Sequence, residues 1–429
     1  MNKPGYKKTA LGWIPEEWEV NNISYIASVS SGGTPHRENN KYWNGDIPWI
    51  TTAELSNKII SSSVETITEI GLNESSAKLF PPNTLLVAMY GQGKTRGQVA
   101  KLGISAATNQ ACAAIILKDD YYVDFYFQYL QSQYNNLREL SNEGSQKNLN
   151  AGVIKEFKAP IPPLPEQIKI AQILSSWDKA ITQTQKLIEA KQRLKQGLMQ
   201  QLLTGRMRFK EFGVSVVKVG DVPIEWTKTK LSNISKRIDR SIKNIETTVL
   251  SITAKVGFVD QKEKFNKVIA GENLVKYIHL KKGEFSYNKG NSKSYPQGCI
   301  YRLDEFVEGA VPQVYYSFAL SPELACSDYF KFYFESGALN NQLSQRINSG
   351  VRNDGLLNLN ADDFFSVEIV FPSLQEQIKI SDLLNTLARE INTLKTSLSF
   401  LQNQKQGLMQ KLLTGQVRVK VEDIQNGAA

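Results

Sequence analysis

The sequence predicts an α+β protein: two mixed α/β domains separated by two long helices packed as an antiparallel coiled coil, the whole forming a pseudo-two-fold tandem duplication. Three observations predict it. Short segments return after a constant interval, the returning segments carry apolar residues at helical spacing, and the stretches between them mix β-like runs with helical ones.

The repeat organises the chain. LPEQIKI at 164–170 returns as LQEQIKI at 374–380, and KQGLMQQLLTG at 195–205 returns as KQGLMQKLLTG at 405–415, both 210 residues on. The same interval pairs LNA at 149–151 with LNA at 359–361, and a looser match joins LGWIPEEWE from Leu11 to VGDVPIEWT from Val219. Between these segments, 22–148 and 228–358 show almost no likeness to each other. A constant scaffold with divergent inserts suits two modules that are placed symmetrically and recognise different things. Drift of surface loops produces the same pattern without that purpose.

The repeated segments read as helices. From Pro165, suited to a first helical turn, apolar residues recur at Ile170, Ile173, Leu174, Trp177, Ile181, Leu187, Ile188, Leu194, Leu198 and Leu202, and Gly205 supplies the stop. In the second copy Ile380, Leu383, Leu384, Leu387, Ile391, Leu394, Leu398, Leu401, Leu408 and Leu412 keep the register up to Gly415. A helix of about 38 residues is roughly 57 Å long, too long for one small domain to cover. Each therefore needs a partner along its length, and the two near-heptad stripes supply one another. The residues expected to pair are Ile170, Leu174, Trp177, Ile181, Ile188, Leu198 and Leu202 with Ile380, Leu384, Leu387, Ile391, Leu394, Leu398, Leu401, Leu408 and Leu412. Because each helix follows its own domain, antiparallel packing puts the domains at opposite ends. Gly197 and Gly407 inside the helices cost up to ~1 kcal/mol each relative to Ala, and allow either close approach of another chain or a kink.

Four segments follow: a first domain over 1–160, a central helix over 161–212, a second domain over 213–371, and a C-terminal helix and tail over 372–429. β-like runs in the domains are TLLVAMY (84–90), CAAIILK (112–118), TVLSITA (248–254) and FSVEIVFP (365–372). Helical pieces are YVDFYFQYLQSQYNNLREL (122–140) and SDYFKFYFESGALNNQLSQRI (327–347).

Composition narrows the class. With 41% hydrophobic and 22% charged residues the chain is neither disordered nor fibrous. The N-terminus lacks an apolar signal region and no apolar run approaches the ~18 residues of a membrane span, so a cytoplasmic protein without membrane contact is expected. Cys112, Cys299 and Cys326 lie far apart without a CxxC pair, and His36 and His279 form no metal spacing, so neither structural zinc nor a catalytic metal is expected. The net charge of +9 permits a polyanionic partner, but its distribution is uneven. Lys and Arg against Asp and Glu number 15 to 15 in 1–160, 9 to 4 in 161–212, 20 to 18 in 213–371 and 7 to 5 thereafter. Any nucleic-acid affinity of the domains must therefore reside in local loops.

The chain resembles the specificity subunits of type I restriction-modification enzymes (HsdS). The likeness runs through GWIPEEWEV, SGGTPHRENNKYWNGDIPWITTAEL (31–55), AMYGQGKTRGQVA with ATNQACAAI (88–115), PPLPEQIKIAQIL and KQGLMQQLLTG. It continues in VLSITAKVGFV (249–259), GEFSYNKGNSKSYPQG (283–298) and the second helix. The resemblance implies that each domain recognises one half of a split, asymmetric double-stranded DNA site. It implies that the helices set the spacing and dock two copies of a methyltransferase subunit, and through them restriction/translocase subunits. No cofactor is then expected in this chain: S-adenosylmethionine belongs to the methylation subunit, and ATP and magnesium to the restriction subunit.

Bases are read by side chains reaching their edges, while phosphate contacts supply position and affinity. The candidates in the first domain are Thr34, Arg37, Lys41 and Tyr42 of the GGTP loop, Lys94, Thr95 and Arg96 of GQGKTRG, and Gln146, Lys147 and Asn148 before the helix. In the second they are Lys255, Lys289, Asn291, Lys293, Tyr295, Arg352 and Asn353. Trp43 and Trp49 read as core or wedge residues, and GGTP and NKGNSK equally as turns. GQGKT approaches the phosphate-binding GxxxxGK[ST] pattern, but Ala88 stands where its first glycine belongs, so a strand with a tight basic loop is expected. The pair Asp362 and Asp363 reads as a solvated turn. Two other classes stay open: a stand-alone nuclease or methyltransferase, and a scaffold whose domains bind peptide.

Overall fold

The computed structural model describes residues 4–91, 93–140, 149–215, 222–242, 247–253, 256–265, 276–290, 294–347 and 356–421. The chain forms two compact units, one of residues 1–185 with 396–429, the other of residues 186–395. Each unit is one divergent domain together with a piece of both long helices.

Those helices span Leu164–Leu202 and Leu374–Leu412 without a break. Both end identically. Gly205 (φ 73°) and Gly415 (φ 68°) take the left-handed conformation that L side chains resist, after which Met207 donates to the Gln201 carbonyl and Val417 to that of Lys411. Close approach adds a second reason for glycine there. A Cβ on Gly205 would lie 2.5 Å from Pro223, and one on Gly415 2.4 Å from Pro15.

The helices run antiparallel inside each unit. In the first, Lys405 donates to Asp178 at 2.6 Å, and Ile170, Leu174 and Leu412 share one core with Leu408 against it. In the second, Lys191 meets Glu390 at 2.7 Å, and Leu202, Ile380 and Leu384 share a core flanked by Leu198. All the residues expected to pair are buried or half-buried. Leu187 and Leu194 depart from the expected face, at 45% and 49% exposed. Seven residues apart, they form a stripe beside the seam that Ile188, 7% exposed, occupies.

Beneath unrelated sequences the two domains share a plan. Each is rooted by a strand pair next to the long helices: Glu19–Asn22 with Lys158–Ile161, and Thr227–Lys230 with Glu368–Phe371. Each holds the same antiparallel run of four strands. In the first unit the order is Ala27–Ser31, Cys112–Leu117, Leu85–Ala88, Val99–Leu102, extended by a parallel Ile59–Ile60. In the second it is Ser235–Arg237, Tyr316–Leu320, Phe285–Asn288, Cys299–Arg302. A buried aromatic helix packs behind each sheet, Val123–Ser132 and Ser327–Glu335. Both helical pieces are then interrupted, at Gln133 and around Gly337 (φ 75°), before Tyr134–Glu139 and Asn340–Arg346. The units differ in what is added. The first has a second sheet of Glu65–Ile67, Trp43–Ile50, Ala106–Thr108 and Leu79–Phe80. The second has two pairs, Leu250–Thr253 with Gly257–Asp260 and Tyr277–Lys281 with Glu308–Pro312.

A repeated glutamine joins helix to domain. Gln167 donates to the Pro162 carbonyl at 2.8 Å and accepts from the Tyr122 N–H at 2.9 Å, at the start of the helix Val123–Ser132. Gln377 does the same with Pro372 (2.9 Å) and Cys326 (2.8 Å). Each satisfies an orphan N–H where the domain helix begins. Asp362 and Asp363 lie in the first turn of the helix Ala361–Phe365, capped by Asn360, rather than in a turn.

Candidate nucleic-acid interface

In the first unit the GQGKTRG segment links two antiparallel strands, Leu85–Ala88 and Val99–Leu102, and opens no helix. The helix Tyr134–Glu139 pins it. Tyr134 donates to the Lys94 carbonyl at 2.9 Å, and Arg138 to that of Gly93 at 2.7 Å. Lys94 is exposed, while Thr95 and Arg96 are half-buried. Gly93 and Lys94 are therefore held by their carbonyls while the Lys94 side chain stands exposed, an arrangement suited to phosphate or base contact.

The GGTP loop divides. Thr34 donates its hydroxyl to the Gln110 side-chain carbonyl, on the turn between Ala106–Thr108 and Cys112–Leu117. That turn also touches the basic hairpin, since Met89 donates to the Ala111 carbonyl at 2.8 Å. Thr34 and the base of the basic hairpin, at Met89, thus meet one turn. Farther along, Arg37 is paired with Glu65 and lies over Trp43 (4.1 Å) and Trp49 (4.8 Å), whose rings meet edge to face at 5.1 Å. Hydrogen bonding between them raises the guanidinium pKa and lowers that of the carboxyl, so much of its charge is already met. Tyr42 bonds Glu74 at 3.0 Å, and the exposed Lys41 gives its carbonyl to Thr68 at 2.7 Å. Arg37 and Tyr42 are therefore braced on the second sheet.

In the second unit the equivalent hairpin joins Phe285–Asn288 to Cys299–Arg302. Lys289 turns inward, bonding the Tyr316 hydroxyl at 3.3 Å above its ring. Tyr295 and Tyr301 hydroxyls meet at 3.1 Å. Gln146, Lys147, Asn148, Lys255, Asn291, Lys293, Arg352 and Asn353 lie outside the described residues.

Sequence reasoning singled out neither Tyr134 and Arg138, which bond the basic loop, nor Gln110, which accepts from Thr34. The signal for Gln110 was present in ATNQACAAI, where a polar tip precedes an apolar strand. Among the described residues no group of three or more His, Cys, Asp or Glu could hold a metal, and no helix is long and apolar enough to cross a membrane. Burial pushes the Cys299 thiol up to about 11 and that of Cys112 further, which keeps both sulfurs protonated and unreactive.

A family model described as the type I restriction modification DNA specificity domain matches residues 15–192. The MjaIX specificity subunit of Methanocaldococcus jannaschii is 28% identical over 432 residues, 97% of each chain. Along nearly its whole length the chain is similar to type I restriction enzyme specificity subunits. The EcoR124I/EcoR124II specificity subunit of Escherichia coli is 27% identical over 179 residues, 40% of this chain and 44% of that one. The fold is also that of the S subunit from M. genitalium, with a TM-score of 0.56 at 16% identity, covering 92% of this chain and 96% of that one.

Proposed function

We propose that each unit reads one half of a split, asymmetric duplex DNA site, and that the repeated helices fix the gap between the halves and dock two copies of a methyltransferase subunit. Restriction/translocase subunits join through those. The chain contributes no catalysis, S-adenosylmethionine is held by the methylation subunit, ATP and magnesium by the restriction subunit, and the complex works in the cytoplasm.

The observation that carries this reading is the shared four-stranded sheet on a repeated scaffold, edged in each unit by loops of unrelated sequence. A reader of two different half-sites needs a constant frame and variable edges. In the first unit Thr34, Lys94, Thr95 and Arg96 are the favoured contacts, with Lys41 on phosphate. Arg37 and Tyr42 act as braces. In the second the hairpin with Tyr295 takes the corresponding place.

Mapping methylated adenines across a host genome tests it. Replacing residues 1–160 with the matching part of another specificity subunit is expected to change one half of the methylated motif and leave the other as it was. A motif that does not change, or that changes in both halves, would refute the reading.

A further inference from the structure

The two units differ along almost every loop, yet one exposed position holds the same side chain in both. Strand pairing identifies it without reference to sequence similarity. Ile115 pairs with Leu85 in the first sheet, and Phe318 with Phe285 in the second, so the strands Cys112–Leu117 and Tyr316–Leu320 are equivalent. Beyond their far ends Lys118 donates to the Ile26 carbonyl at 2.9 Å and Ser321 to that of Ile234 at 2.8 Å, confirming the register. Counting back along it sets Gln110 against Gln313.

The local backbone agrees. Cys112 donates to the Asn109 carbonyl at 3.2 Å and Tyr315 to that of Pro312 at 3.0 Å, so both glutamines occupy the second position of the same kind of turn. Both are exposed, and from that turn through the strand the order of exposed, half-buried and buried residues is the same in 109–117 and 312–320. Flanking residues differ completely: Asn109, Ala111 and Cys112 against Pro312, Val314 and Tyr315. The turn itself has no need of glutamine, since that position is best served by proline and accepts most residues. An exposed amide recurring there answers to something outside the chain.

We propose that Gln110 and Gln313 are equivalent base-reading residues, each presenting its amide to one adenine in the major groove of its own half-site. This rests on the reading of the chain as a two-part DNA reader. A primary amide offers a donor and an acceptor side by side, which matches N7 and the N6 amino group of adenine. A phosphate accepts only, and is met by donors such as Lys or Arg. In the first unit the Thr34 hydroxyl donates to the Gln110 carbonyl oxygen. It acts as a positioning residue, turning the amide while a second lone pair and both N–H groups remain for the base.

The test selects bound duplexes from a random-sequence pool with the full chain and its variants. The unaltered chain is expected to select a two-part motif with an adenine in each half. Gln110→Glu is expected to change that adenine to cytosine in one half only, because a carboxylate accepts from the cytosine amino group, and Gln313→Glu to do so in the other half. Gln110→Ala is expected to lower discrimination at the same base pair about tenfold. Both positions are exposed turn residues, and unchanged melting of each variant verifies folding. Glutamate variants that select the original motif, or that lose affinity evenly for all sequences, overturn the proposal while leaving the two-part reading standing. Failure of the unaltered chain to select any motif refutes both.

Discussion

The two units close their helix junctions with the same ion pair in different surroundings. At the end of the first long helix Arg208 forks onto Glu376 with bonds of 3.0 and 2.9 Å, and the two side chains are 3% and 1% exposed. At the end of the second, Arg418 grips Glu166, but its side chain is 36% exposed. Each arginine also reaches a more exposed acid, Glu225 or Glu17. The tryptophans beside them diverge too: Trp18 donates its indole N–H to Glu166 at 3.0 Å, whereas the buried Trp226 Nε1 has no partner. Duplication copied the chemistry, and local packing then decided how much each copy is worth.

The largest expected effect separates the copies. Arg208→Ala leaves Glu376 buried without its cation and is expected to cost about 3–5 kcal/mol. Arg418→Ala is expected to cost about 1–2 kcal/mol, since Glu166 keeps the Trp18 bond and water can reach the vacated side. Calorimetric unfolding of the two variants checks this. Equal losses would mean that exposure does not set the difference.

A smaller effect concerns the helix seam. Asp178 accepts from Lys405 and from Gln128, both at 2.6 Å, tying the two helices to the domain helix of the first unit. The repeat puts Ala388 at the matching place, and Lys195, the counterpart of Lys405, instead lies 4.8 Å over the Phe332 ring. Burial lowers the Lys195 pKa, the sign of a charge held where water is scarce. Asp178→Ala is expected to cost about 1–2 kcal/mol and Lys195→Met to stay within about 1 kcal/mol of neutral. A Lys195→Met loss as large as that of Asp178→Ala, read in the same unfolding experiment, would erase the distinction.

How much of this was legible depended on whether the interval stayed constant. The helices announced themselves because 3-and-4 spacing and the 210-residue interval persist from Leu164 to Gly205 and again from Leu374 to Gly415. The common sheet did not. Its strands are offset by 208 residues from Ala27 to Ser235, by 200 from Leu85 to Phe285 and by 203 from Ile115 to Phe318. Different loop lengths erase any fixed repeat, and only strand pairing restores it. In the interface, loops were recognisable as groups because Gly, Asn, Lys and Arg mark them. Their members' roles were not, because Arg37 meets Glu65, and Lys289 meets Tyr316, through tertiary contacts 28 and 27 residues away. Leu187 and Leu194 matched a helix face in sequence, yet a seam only as wide as Ile188 leaves both outside it.

The smallest effect is one in which the units should agree. Gly197 and Gly407 occupy the same place in KQGLMQ, each inside an unbroken helix, and a Cβ built on either meets nothing within 4 Å. Neither close approach within the chain nor a break in the helix requires them. Alanine removes the backbone freedom that glycine brings to the unfolded chain, so Gly197→Ala and Gly407→Ala are each expected to add up to ~1 kcal/mol, and to add independently in the double variant. If both variants stabilise the isolated chain yet weaken its assembly with a methylation subunit, the glycines serve a surface that another chain approaches. Stabilisation at one site and not the other would show that the two helices, alike in sequence, are not alike in environment.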